Sequence, residues 1–81
     1  MRLDKFLKVS RLVKRRPVAK ELADAGRVIL NGRPAKAGSN LAVGDELELL
    51  FGSKPVKIKV LELRDFARKE EAETLYELIR D

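Results

Sequence analysis

Arg16-Pro17-Val18-Ala19-Lys20-Glu21-Leu22-Ala23-Asp24-Ala25-Gly26-Arg27-Val28-Ile29-Leu30-Asn31-Gly32 changes its periodicity midway, and that change decides the fold. Up to Ala25 the apolar positions Val18, Ala19, Leu22, Ala23 and Ala25 recur at helical spacing, the stripe of an amphipathic helix. Pro17 fits the first helical position, where its missing N–H costs nothing, and Gly26 is placed to stop the helix in a left-handed conformation. After Gly26, Arg27-Val28-Ile29-Leu30 is rich in β-branched residues and ends on Asn31-Gly32, the strongest short hairpin signal.

Working outward toward the N-terminus, Leu3, Phe6, Leu7, Val9, Leu12 and Val13 predict a short helix near residues 3–9, with a continuation or a turn after Ser10. Arg2, Lys5, Lys8 and Arg11 step by three along its solvent side. Working outward the other way, residues 33–36 return as a short strand that Pro34 confines to an edge. A loop at 38–40 and a turn at Gly44-Asp45 lead to an alternating strand at 46–51. A turn at 52–55 precedes a second period-two strand at 56–63. Ala72, Leu75, Tyr76 and Ile79 predict a helix over 67–80. The expected class is α+β: two N-terminal helices packed on a small, mostly antiparallel sheet, plus a C-terminal helix. Residues 1–64 are expected to form the main domain, with an acidic helix at 65–81 packed on it or extending from it.

Charge is distributed unevenly over this order. Residues 1–40 carry 11 Lys and Arg against 3 Asp and Glu, a net +8, whereas residues 41–81 carry 7 against 10, a net −3. A disordered basic tail would lack the apolar pattern interleaved with these cations, so a folded domain with one cationic face is expected. A polyanion is its natural partner. The chain has no Cys and no His, which excludes disulfides, thiolate metal sites, imidazole ligands and thiol or imidazole catalysis. No metal and no cofactor are expected. No stretch approaches the roughly 20 apolar residues of a membrane span, and Met1-Arg2-Leu3-Asp4-Lys5 is no secretory leader, so a cytoplasmic location is expected. A monomer is expected as well.

Four segments in register carry a resemblance: Arg2-Leu3-Asp4-Lys5-Phe6-Leu7, Lys14-Arg15-Arg16-Pro17-Val18-Ala19-Lys20, Gly26-Arg27-Val28-Ile29-Leu30-Asn31-Gly32 and Val43-Gly44-Asp45-Glu46-Leu47. Over roughly residues 1–60 the chain resembles the RNA-binding domain named after small-subunit ribosomal protein S-four, also called the αL fold. The resemblance extends to stand-alone members acting in ribosome-associated quality control. It implies association with the rRNA of the large ribosomal subunit and with peptidyl-tRNA. It also implies RqcH as a partner during C-terminal alanine tailing of stalled chains. A second stand-alone branch, the heat-shock protein of fifteen kilodaltons, implies recycling of obstructed large subunits instead. Where many members place a Ser-Arg-Ser or Ser-Arg-Thr run, this chain reads Arg15-Arg16-Pro17, removing a hydroxyl N-cap.

Helical RNA offers phosphates and 2′-hydroxyls, while its deep, narrow major groove is closed to side chains. A protein reading it by shape needs Lys and Arg on a rigid surface and few aromatics. The RNA contacts expected here are Arg2, Lys5, Lys8, Arg11, Lys14, Arg15, Arg16 and Lys20, extended by Arg27, Arg33 and Lys36. Arg16 and Lys20 stand one helical turn apart and can reach one strand. Phe6 and Phe51 sit in apolar register, so stacking on splayed bases is not the dominant mode. Asp4 is expected to favour the dipole of the first helix and to pair with Lys8 at i+4. Lys54, Lys57 and Lys59 are expected to face Glu46 and Glu48 across the sheet. Two other classes compete: a helix-turn-helix DNA reader, weakened by a second helix without Asn, Gln or Ser to read bases, and an adaptor working through the acidic C-terminal segment. No nucleophile-and-base pair or phosphate-cradling loop supports an enzyme.

Overall fold

The computed structural model describes residues 1–79. The expectations that touch Arg80 and Asp81, and the side chain of Phe51, lie outside the described residues. In chain order the elements are α1 (Leu3–Val9), α2 (Arg16–Asp24), β1 (Val28–Leu30), β2 (Arg33–Pro34), β3 (Glu46–Phe51), β4 (Lys54–Val60), α3 (Lys69–Ala72), a 3-10 turn (Glu73–Leu75) and β5 (Tyr76–Leu78). The five strands form one antiparallel sheet in the order β2-β1-β3-β4-β5.

The opening segment folds as its periodicity dictates. Pro17 stands second in α2, after Arg16, within the tolerance of any helix boundary. Gly26 takes φ +74°, with its N–H donating to the Ala23 carbonyl and the Arg27 N–H to the Leu22 carbonyl. Those two bonds are a Schellman stop, and they turn the chain straight into β1. Asn31 and Gly32 both have positive φ, 48° and 86°, as a two-residue type I′ hairpin turn demands. Asn31 does more than turn: its Oδ1 accepts the Glu46 N–H at 2.9 Å and its Nδ2 donates to Asp45 Oδ1 at 3.1 Å. The Asp45 carboxylate also accepts the Ala42 N–H, so it shapes its own turn and ties that turn to the hairpin tip.

One face of the sheet is apolar and one is charged, which follows from the alternation in β3 and β4. Leu47, Leu49, Ile58 and Val60 point inward and meet Leu3, Phe6 and Leu7 of α1 and Ala19 and Ala23 of α2 in one core. Phe6 is fully buried, and truncating such a ring to Ala costs about 3–5 kcal/mol. On the outer face Glu48 is opposite Lys57 and Glu46 opposite Lys59, but Lys54 is opposite Phe51 rather than an acid. The expectation for Lys54 is therefore corrected.

The largest departure is at the C-terminal end. The helix expected over 67–80 is instead the four-residue α3, the 3-10 turn and then β5, which pairs with β4. Tyr76 lies opposite Val60 and Leu78 opposite Ile58, so the spacing that reads as helical serves a short helix and then an edge strand. Leu75 and Ala72 still reach the interior. The second long strand likewise ends at Val60, three residues before its expected limit at residue 63.

Candidate RNA interface

The N-terminus of α1 is built by a distant loop. Arg2, its N-cap residue, makes no side-chain cap, and the first amides of the helix need other acceptors. Leu3 N–H donates to the Ser39 carbonyl and Asp4 N–H to the Ala37 carbonyl, while Lys5 N–H donates to Asp4 Oδ1 at 2.8 Å. A bridge between Arg2 and Asn40 and a bond from Leu41 N–H to the Met1 carbonyl complete the attachment. The loop carrying Lys36 is thereby held against Arg2, whose guanidinium lies beside Gly38.

Asp4 is the node of the surface. It is 4% exposed, whereas the arginines around it remain about half exposed. Arg2 Nε donates to Asp4 Oδ1 at 3.2 Å and Arg2 Nη2 to Oδ2 at 3.3 Å. Arg16 approaches from α2, with Nε 3.2 Å from Oδ2 and Nη2 3.4 Å from Oδ1. Burial by itself would raise the carboxyl's pKa, but hydrogen bonds from Arg16, Arg2 and the Lys5 amide outweigh it and hold the group below its ordinary value. The carboxylate, ionised at neutral pH, thus fixes two guanidinium planes that each keep free N–H donors toward solvent. The pairing with Lys8 expected for Asp4 does not form: the partners are Arg2 and Arg16.

The remaining cations of this half lie on the two helices, on the link between them and on the hairpin and loop that follow. Lys20 lies beside Asp4, Arg16 and Pro17 on one shallow surface depression. Lys14 and Arg15 occupy the link between the helices, both exposed, and rim an apolar dip made by Leu12, Val13 and Val18. The first turn of α2 has no acidic residue, so the positive end of its dipole adds to the charge of Arg15 and Arg16. Lys8 and Arg11 are exposed on and just after α1. Lys5 is half-buried and spends its charge on Asp65, with Nζ 2.9 Å from Oδ1, an ion pair that lowers the Asp65 pKa.

Arg33 is exposed on β2 and shares a shallow depression with Ser39, in the loop held against α1. Arg27 stands apart. Its carbonyl accepts from Leu50 N–H at the end of β1 remote from the Asn31–Gly32 tip, so it does not join the hairpin cations. Sequence reasoning missed the organising role of Asp4 toward Arg16, because the pair is 12 positions apart across a turn. It also assigned no role to Phe66, which is 75% exposed. A lone aromatic within Arg64-Asp65-Phe66-Ala67-Arg68, outside any apolar periodicity, was the available signal.

The comparisons agree with this architecture. A family profile described as the S4 domain matches residues 1–47. The chain is 56% identical over 81 residues to the RQC P-site tRNA stabilizing factor of Bacillus subtilis strain 168, covering all of this chain and 94% of that protein. It is 37% identical over 78 residues to the heat shock protein 15 homolog of Haemophilus influenzae, covering 95% of this chain and 60% of that one. Among solved structures, heat shock protein 15 of Vibrio cholerae, described as trimeric, superposes with a TM-score of 0.91 at 31% identity, over 98% of this chain and 81% of that one. The helix pair on an antiparallel sheet, the profile match and the full-length relatives agree: the chain belongs to the S4 domain family.

Proposed function

We propose that this chain is a non-catalytic RNA-binding protein that holds tRNA and rRNA on the large ribosomal subunit during ribosome-associated quality control. The observation that carries the reading is the Asp4 node, where Arg2 and Arg16 are fixed by one buried carboxylate with donors left over for phosphate. Arg2, Lys8, Arg11, Lys14, Arg15, Arg16, Lys20, Arg33 and Lys36 form the contact surface, with Lys5 partly engaged by Asp65 and Arg27 peripheral. Rigid cations suit the backbone of folded RNA, which is read by shape. Similarity to the RQC P-site tRNA stabilizing factor of B. subtilis supports the quality-control setting and a tRNA partner. Within that setting the chain acts in the cytoplasm as a monomer and supports RqcH-dependent alanine tailing of stalled chains.

The heat-shock branch gives a second reading, favoured by the TM-score of 0.91: binding of obstructed large subunits for recycling. The two separate on outcome. In-cell crosslinking with sequencing of bound RNA is expected to recover large-subunit rRNA and tRNA together. Deleting the gene is expected to remove alanine tails from stalled chains, whereas intact tails with accumulated obstructed subunits support recycling. Crosslinks scattered over mRNA contradict both.

A further inference from the structure

Phe66 is the most exposed large apolar side chain among the described residues, at 75%, although the next residue, Ala67, is buried at 7%. The segment holding it is anchored rather than loose. On one side of Phe66, Asp65 is ion-paired to Lys5 of α1 at 2.9 Å; on the other, Ala67 enters the core. The ring therefore stands beside the C-terminal end of α1. There Lys8, Val9, Arg11, Asp65, Phe66 and Ala67 line one groove. Val9 and Ala67 supply apolar lining, while Lys8 and Arg11 bring exposed cations to the same groove.

Arg11 is itself held in place by the backbone. It adopts φ +62°, a left-handed conformation that a non-glycine residue enters at a cost of roughly 1–2 kcal/mol. Its N–H donates to the Lys8 carbonyl and the Val13 N–H to the Leu7 carbonyl, which fixes the turn from which its side chain departs.

An aromatic wall, an apolar lining and two cations are what an unpaired nucleobase and its flanking phosphates require: the π-face stacks and the charges track the backbone. We propose that Phe66, with Lys8 and Arg11, forms a stacking site for one unpaired base of the bound RNA, an inference that rests on the RNA-binding reading above. The cations favour RNA over an apolar protein segment as the occupant, because a nonpolar partner would have to desolvate Lys8 and Arg11 without replacing their water.

The chain contains no Trp, so Phe66→Trp introduces a single indole reporter. Its fluorescence is to be followed on titration with tRNA, which has unpaired loops, and with an uninterrupted RNA duplex of matched length. Quenching by tRNA and none by the duplex is expected. Phe66→Leu should bind tRNA about tenfold more weakly with duplex binding unchanged, and Phe66→Tyr should restore it. Equal quenching by both RNAs, or a Phe66→Leu variant that binds tRNA like the native chain, overturns the stacking site alone. Failure of the native chain to bind either RNA in a salt-dependent way overturns the RNA-binding reading with it.

Discussion

Arg16 Nε stands 3.2 Å from Asp4 Oδ2, and this contact joins α1 to α2 at the centre of the cationic surface. Asp4 is buried while Arg16 is about half exposed, so the pair works as a mount: the carboxylate is inside and the guanidinium faces outward. Net charge alone predicts that removing this acid strengthens RNA binding. The mounting geometry predicts the reverse.

Asp4→Asn therefore weakens RNA binding even though the chain becomes more positive. The amide offers N–H groups to two guanidinium donors and loses two ionic hydrogen bonds, a stability loss of about 1–2 kcal/mol at neutral pH, since both arginines are partly solvated. Urea unfolding and RNA affinity measured on the same variant check both halves; tighter binding contradicts the mount.

The same carboxylate has a pH signature. Its pKa is lowered in the folded chain, so its stabilisation is fully present above the ordinary value of 3.8 and is lost as pH falls through the depressed folded value. The stability difference between the native chain and Asp4→Asn should be constant from neutral pH down to about pH 5 and shrink below about pH 4. Parallel urea titrations across that window measure it, and a difference that does not shrink at all as pH falls below about 4 excludes ionisation of Asp4 as its origin.

Arg16→Lys keeps the charge and discards the planar fork that meets both Asp4 oxygens. RNA affinity should fall about five- to tenfold, because a lysine drawn to Asp4 is a compact point charge without the rigid fork that holds outward donors at a set angle for phosphate. Filter binding at fixed salt tests this, and native affinity would show that charge alone suffices.

Arg11→Gly separates folding from binding. Glycine enters positive φ without strain, so relief at φ +62° and the greater flexibility of the unfolded glycine chain combine to give a stability change within about 1 kcal/mol of the native chain. The lost cation should lower the slope of log affinity against log salt by about 0.7–0.9. Thermal unfolding and a salt titration read the two effects independently.

Gly26→Ala tests the stop that makes the fold legible. No atom lies within 4 Å of the added Cβ, so the loss comes from forcing φ +74° on alanine, about 1–2 kcal/mol. A neutral substitution would mean that the Schellman geometry is not needed to launch β1.

That stop, the Asn31-Gly32 turn and the two N-terminal helices are local events, and local events are readable: each depends on residues within a few positions of one another. The C-terminal segment fails for a non-local reason. Ala72, Leu75, Tyr76 and Ile79 satisfy helical spacing, but the free edge of β4 offers a ladder to Tyr76, Glu77 and Leu78 that no sequence window displays. Pairing with that edge overrides a weak propensity. At the candidate interface the exposed cations are visible in sequence, since their spacing keeps them off the apolar stripe. Their mounting is not: Asp4 has Lys8 available at i+4, and Arg16 wins because the turn at 10–15 brings α2 alongside α1. Phe66 belongs to neither pattern, and its 75% exposure shows that it is not a core residue.

The surface around the Asp4 node is proposed to contact RNA on the large ribosomal subunit. Arg16→Glu combined with Lys20→Glu reverses two exposed charges on α2 while leaving the core positions Ala19 and Ala23 untouched. Co-sedimentation of this folded variant with tRNA-bearing large subunits is the direct measurement. Loss of association is expected at salt concentrations where the native chain still pellets. Association equal to that of the native chain would contradict it.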